Sequence, residues 1–147
     1  MATVSTHLAT LADIPSIEPL FNLYREFYGM ESDKEGASQF LTARLTNKES
    51  IIIYAKEGVE VVGFTQLFPT FSSSVMKKVY ILNDLFVGED QRGRGVAKLL
   101  IEEAIEIARQ EGCSRVSLST AKDNTAQFLY EKLGFKQSTF KFYNYVI

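Results

Sequence analysis

The sequence predicts a mixed α/β (α+β) domain. Its central sheet is mostly antiparallel, contains one parallel strand pair, and is flanked by helices. Three observations carry this. Between residues 50 and 87, apolar, β-branched and aromatic runs succeed one another across short turns, the pattern of an antiparallel meander. The run Val79–Val87 is followed by a helical pattern and then by a second strand run, Arg115–Thr120, and a crossover of that size joins parallel strands. On both sides of the meander, apolar residues recur at helical spacing.

Each element can be justified in chain order. Thr3–Ala9 alternates as a short first strand. Asp13 is placed to cap a helix that has Pro15 in its first turn. Leu20, Phe21, Leu23, Tyr24, Phe27 and Tyr28 follow at helical spacing, and Gly29 ends the run. Glu35–Leu45 forms a second, shorter helix. The meander comprises Ser50–Glu57, Gly58–Pro69 after a turn at Glu57 and Gly58, and Val79–Val87, whose apolar character suits a sheet centre. Between the last two, Phe68–Lys78 is polar and serine-rich and reads as a hairpin loop at a cleft rim or a solvated turn. Ala97, Leu100, Ile101, Ala104, Ile105 and Ala108 share one face of the next helix, opposite Glu102, Glu103, Glu106, Arg109 and Gln110. After Gly112 comes the strand Arg115–Thr120, then a helix over Asp123–Leu133 stopped by Gly134. A last alternating strand runs over Phe140–Val146. No repeat, linker or low-complexity segment divides residues 1–147, which read as one domain.

Composition excludes several function classes. Of 147 residues, 46% are hydrophobic and 23% charged, a globular composition. Lys and Arg number 16 against 18 Asp and Glu, giving a net charge of −2, so no basic excess points to nucleic acid. Cys113 is the single cysteine, which rules out an intrachain disulfide and fits a reducing, cytoplasmic setting. It reads as a half-buried small residue. His7 is the single histidine, and with one Cys far away it makes neither a zinc site nor a Cys–His nucleophile pair; no metal is expected. No signal-peptide pattern and no apolar run near the ~20 residues of a membrane span is visible, so no membrane partner is expected.

The stretch Gln91–Leu100, QRGRGVAKLL, is the one unusual segment. Two arginines and two glycines stand between the end of a central strand and the start of a helix. Three readings compete: a solvated turn, a nucleic-acid arm, and an anion cradle. At a helix N-terminus, free amides and the helix dipole favour an anion. Gly93 and Gly95 would let the backbone approach a ligand closely, and Arg92 and Arg94 would add donors for phosphate oxygens. The cradle accounts for every feature of the stretch. It is not a Walker loop, because no Gly-Lys-Ser/Thr closes it, and it lacks the third glycine of a dinucleotide fingerprint.

The segment LNDLFVGEDQRGRGVAKLLIEEA resembles the acyl-CoA-binding segment of the GCN5-related N-acetyltransferases (GNAT). That family's loop reads Arg/Gln-x-x-Gly-x-Gly/Ala, filled here by Arg92, Gly95 and Ala97. A second block, Asn124–Phe135, resembles the family's downstream helix with its Asn, its Tyr and its closing Gly-Phe. The resemblance covers Val79–Phe135 closely and the remainder through element order. It implies that the parallel pair splays apart, that acetyl-CoA (coenzyme A) is the cofactor, and that amides from Arg92, Gly93, Arg94, Gly95, Val96, Ala97 and Lys98 hold its pyrophosphate. It further implies that the strand edge at Leu85, Phe86 and Val87 pairs with the pantetheine arm, with the Val87 N–H as oxyanion donor. Asn124 would hydrogen-bond the same arm, Phe128 would line the groove, and Lys132 would reach the 3′-phosphate.

The implied reaction is direct attack of an amine on acetyl-CoA in a ternary complex. Tyr130 is the implied proton donor to the departing thiolate. The same helix face carries Ala126, Leu129 and Leu133, where a core aromatic would also sit. For the base, strict alternation puts Asn83 and Asp84 on opposite faces, so at most one looks into the acceptor cleft. Asp84 is the candidate, directly or through water, and a structural acceptor is its other reading. In the diamine acetyltransferases, which this segment resembles, a Glu stands where Asn83 stands here, a departure that weakens transfer of a polyamine substrate. Tyr24, Phe27, Tyr28 and Glu31 are the substrate-contact candidates, because aromatics beside a carboxylate suit a cation.

The expectation is therefore an N-acetyltransferase acting on a primary amine of a small molecule. The alternatives are a protein lysine or N-terminal acetyltransferase and a non-catalytic acyl-CoA sensor. The aromatic tail FKFYNYVI, as an edge strand that needs covering, makes a homodimer the expected assembly.

Overall fold

The computed structural model describes residues 3–147. Five strands, β1 (Val4–Leu8), β2 (Ile51–Glu57), β3 (Glu60–Ser72), β4 (Lys77–Val87) and β5 (Arg115–Ser117), form one sheet in chain order. Every pair is antiparallel except β4–β5, which is parallel. Four helices flank it: α1 (Ile14–Phe27), α2 (Lys34–Thr46), α3 (Val96–Gln110) and α4 (Ala126–Lys132). The expected fold class is the one observed. The segment expected as a hairpin loop is mostly strand: Phe68–Ser72 extends β3, Lys77 already belongs to β4, and only the intervening turn leaves the ladder.

Each helix is placed by its apolar stripe. Val96, Leu100, Ile101, Ala104 and Ala108 of α3 are buried against Tyr80, Leu82 and Val87 on one face of the sheet. A buried Leu or Ile of this kind contributes about 1.5–3 kcal/mol. Gly63 in β3 makes the close approach possible, because a Cβ there would stand 3.2 Å from Val96 and 3.3 Å from Leu100. The other face is covered by Ile14, Ile17 and Phe21 of α1 and Ala37 and Leu41 of α2, packed on Ile52, Tyr54 and Phe64. Asp13 stands at the start of α1 without capping it. Its carboxylate accepts instead from the Thr10 backbone and hydroxyl and from Tyr54. The cap of α2 is Asp33, whose Oδ1 accepts from the Gly36 amide at 2.9 Å.

Two irregularities in the sheet set the surroundings of Asp84 and Val87. Gln66 of β3 faces Asp84 whereas Leu67 faces Leu82, so Asn83 is an extra, bulged residue in β4. And β5 pairs with β4 only from Val79 to Ile81, so β4 runs on to Val87 with that edge open. The splay of the parallel pair is therefore present in the ladder itself.

The expected last strand over Phe140–Val146 is not formed. After α4 the chain carries no further helix or strand, and Phe140, Phe142, Tyr143, Tyr145 and Val146 are 84–94% exposed. A strand exists only against a partner edge, and the three residues of β5 offer this tail a short ladder within one copy of the chain.

Candidate active site

The bulge corrects the alternation argument for β4. Regular pleating would leave Asp84 on the face of Leu82, under α3. The extra residue turns Asp84 to the α1–α2 side, where it and Asn83 both line one cleft. Asp84 is 2% exposed. Its two oxygens accept from Gln66 Nε2 at 2.6 Å and Asn83 Nδ2 at 2.8 Å, and Gln66 is itself oriented by the Ser50 hydroxyl at 2.8 Å. Burial pushes the Asp84 carboxyl above the usual range, against the pull of its Asn83, Gln66 and Tyr24 donors. A carboxylate so raised and fixed is a stronger base than an ordinary exposed carboxylate.

Tyr24 donates to the Asn83 carbonyl at 3.2 Å and lies beside Asp84. Its burial, with the Asp84 charge next to it, holds the phenol well above its ordinary value. Tyr28 packs edge-on against Tyr24 at 5.0 Å, and Tyr130 is near enough for the Tyr28 charge to add to the burial that raises its phenol. Thus Tyr24, Tyr28, Tyr130 and Asp84 are brought into one neighbourhood. Of the four substrate candidates only Tyr24 lines the cleft; Tyr28 and Phe27 are 61% and 66% exposed outside it, and Glu31 contributes only its carbonyl, to Arg25 at 2.9 Å. The lining also contains residues that sequence reasoning missed, among them Arg25, Asp33, Phe40, Gln66 and Phe68. Gln66 had a usable signal, since a polar side chain inside an apolar central strand needs a buried partner.

The second half of the site is the open edge of β4. Gly88 N donates to Val62 O at 2.9 Å, so by antiparallel alternation the amide and carbonyl groups of Leu85 and Val87 point away from β3, toward the splay. Phe86 turns its ring to the α1 face, next to Tyr24. The Val87 carbonyl is taken by Arg92 Nε at 3.0 Å, and the Arg92 guanidinium lies over the Phe86 ring at 5.3 Å. This leaves the Val87 N–H as the free group of that residue. Arg94 is paired with Glu57 at the end of β2. The arginine side chains therefore brace the loop, and its free donors are backbone.

Those donors are numerous. Gly93 and Gly95 have φ of 78° and 83°, left-handed values that bend the chain into α3. Among the described residues, none of the amides from Gly93 to Lys98 has a protein acceptor; the first helical bond is Leu99 N to Gly95 O. A Cβ built at either glycine meets nothing within 4 Å, so the concavity is open. Successive unpaired amides at a helix N-terminus form a site for phosphate oxygens. Asn124 Oδ1 accepts from the Ala126 amide at 2.9 Å, and its Nδ2 has no protein acceptor among the described residues. Phe128 is 67% exposed, Lys132 is exposed, and Tyr130 is half-buried against Phe135, its phenol pushed above the ordinary value by burial. The open edge of β4 and the unpaired amides of Gly93–Lys98 thus leave two sets of free backbone groups, one at the end of β4 and one at the start of α3.

A phosphate cradle, a splayed parallel pair and a cleft ending on a buried carboxylate define an acyl-transfer fold. Residues 17–135 match the Acetyltransferase (GNAT) family, and the chain belongs to that family. It is 48% identical over 132 residues to the uncharacterized N-acetyltransferase YhfO of Bacillus subtilis, covering 89% of both chains. It is 30% identical over 125 residues to a probable acetyltransferase of Haemophilus influenzae, covering 84% of both. A crystal structure of a probable acetyltransferase superimposes with a TM-score of 0.93 at 43% identity, over 97% of both chains. The chain is thus an acetyltransferase, of a family whose members use acetyl-CoA. Among the described residues, no helix is long and apolar enough to cross a membrane.

Proposed function

We propose that this protein transfers the acetyl group of acetyl-CoA to a primary amine of a small molecule. The observation that supports this best is that Asp84 lines the α1–α2 cleft and stands on the stretch of β4 whose edge β5 leaves open. Acetyl-CoA, when bound, supplies the acetyl group as an activated thioester. The amides of Gly93–Lys98 hold its pyrophosphate, the Leu85 and Val87 edge and Asn124 Nδ2 hold its arm, and Phe128 and Lys132 flank it. Asp84 takes the proton that an ammonium must lose before its nitrogen can form the new C–N bond. The Val87 N–H faces the oxygen on which negative charge develops. As the C–S bond breaks, Tyr130 gives its proton to sulfur and recovers one from the amine nitrogen, so that an amide and a thiol leave.

The test is CoA release across polyamines, aminoglycosides, amino acids and lysine peptides, for wild type and Tyr130→Phe, with no-protein and no-amine blanks. The variant is expected to lose turnover by about 10²-fold while calorimetry shows unchanged acetyl-CoA affinity. Turnover confined to lysine peptides or protein N-termini would favour the macromolecular target. Binding without turnover on any amine would favour a sensor.

We further propose a homodimer, supported by the exposed aromatic tail, because isolated proteins rarely leave such a run in water. Sedimentation giving only a 16.6 kDa species at tens of micromolar would overturn it.

A further inference from the structure

We infer that the acceptor is a primary amine on a short arm from one compact apolar ring, an aralkylamine, and that linear polyamines and protein lysines are poor acceptors; this rests on the acetyltransferase reading above. The cleft between α1, α2, β3 and β4 has a volume of about 380 Å³, at the small end of the ~300–1,000 Å³ typical of small-molecule sites. Its walls are rings. Phe21 and Tyr24 come from α1, Phe40 from α2 and Phe68 from β3. Phe21 is consumed by the core at 7% exposure, but Phe40 is 40% exposed and Phe68 is only partly covered. Phe40 is a fixed wall, stacked on Phe21 at 5.9 Å and held by the Arg44 guanidinium at 4.5 Å. Uncovered rings on opposing elements of a cleft are a surface that an apolar ligand would bury.

The polar groups select the other end of the ligand. Asp84 is the one buried carboxylate in the lining, held by Gln66 and Asn83. The remaining charges belong to α1 and the start of α2, and both are engaged: Arg25 donates to Asn22 Oδ1 and the Glu31 carbonyl, and Asp33 caps α2. One buried carboxylate matches one ammonium. A linear polyamine carries further cationic nitrogens that would lie against Phe40 and Phe68 with no second buried carboxylate to receive them. A peptide bound by strand addition pairs its main chain with a free sheet edge, whereas this cleft is walled by side chains of α1, α2, β3 and β4. The small volume, the partly uncovered phenylalanines and the single buried carboxylate thus point to one kind of ligand: an apolar ring, a short arm and a terminal amine.

The experiment has a turnover arm and a binding arm. In the first, kcat/KM is measured with phenethylamine and tyramine, with spermidine, and with a lysine peptide. In the second, phenethylamine and spermidine are titrated calorimetrically into wild-type protein loaded with CoA. The aralkylamines are expected to exceed both other classes by about tenfold or more, to bind the loaded protein, and to show a KM raised several-fold in Phe40→Ala and Phe68→Ala with acetyl-CoA affinity unchanged. Preference for spermidine or the peptide overturns this inference and leaves the acetyltransferase reading standing. Phenethylamine binding without turnover on any amine supports the pocket assignment and sinks the reading beneath it. No heat with phenethylamine and no turnover overturns both. The wild-type arms decide the matter even where a phenylalanine variant fails to fold.

Discussion

Asp84 carries opposite consequences for stability and for turnover. Burial raises its carboxyl pKa above the value in the unfolded chain, so folding takes up a proton there. The stability this group contributes is present below the ordinary carboxylate range and is lost as pH rises through the raised value. Above the ordinary carboxylate range, burying Asp84 is thus a net cost to folding. Asp84→Asn is expected to raise Tm at pH 7, by about 2–4 °C for each kcal/mol relieved, and the gain should vanish as the pH falls below the ordinary carboxylate range. The Ser50–Gln66 pair can reverse its amide to receive the new donor. The same variant should lower kcat/KM by about 10²-fold. A wild-type pH profile should show its acid limb above the usual carboxylate range; a limb at or below that range would exclude Asp84 as the base. The sequence made the residue visible as a candidate. It could not show the burial or the three-donor environment, because these come from Gln66, Asn83 and Tyr24, spread over three elements.

At the scale of elements, the position and bend of the loop before α3 were legible, but not the turning of Arg92 onto the Val87 carbonyl and of Arg94 onto Glu57, which depends on distant strands. Its glycines, its position after a central strand and the apolar stripe behind it all obey local rules. Gly95 tests it. At φ 83° a side chain is strained by about 1–2 kcal/mol, and a methyl group there points into open space that a phosphate would need. Gly95→Ala should therefore weaken acetyl-CoA binding more than the modest fall in Tm explains, as calorimetry beside a melting curve would reveal. α1 offers a contrasting case. Glu18 is 4% exposed, and its Oε1 has no hydrogen-bond partner among the described residues. An unpaired buried carboxylate costs stability, so Glu18→Leu should raise Tm; a fall would mean that the carboxylate has a partner the fold does not display. The helix period of α1 predicted which side faces the core but not which residues of α1 and α2 would share a cleft, since that depends on how the two helices cross. Arg25, Asp33 and Phe40 were missed for this reason.

For the whole molecule, the sheet and its helical layers were legible from periodicity and crossover length, whereas the tail was not. Alternation predicted a strand over Phe140–Val146, but a strand is a property of two partners, and one chain supplies this one with no long edge. Deleting residues 140–147 should abolish the dimer while leaving the far-ultraviolet spectrum of the folded domain nearly unchanged; a truncated chain that still sediments as a dimer would locate the interface elsewhere. The bulge at Asn83 has a wider reach. Up to Leu82, β4 serves the core beneath α3; beyond it, Asp84 serves the cleft, and the Leu85 and Val87 amides serve the splay. One residue is the phase shifter between these tasks. Replacing Asn83 removes one donor to Asp84 and should be tolerated in part. Removing position 83 altogether should close the bulge into a regular ladder with Leu82 and Asp84 consecutive, so Asp84 keeps the cleft face and the Leu85 and Val87 amides keep their direction, while the Asn83 amide that donates to Asp84 and the carbonyl that accepts from Tyr24 are lost. The bulge is how one strand gives the cleft two consecutive residues, Asn83 and Asp84, without disturbing the pairing on either side.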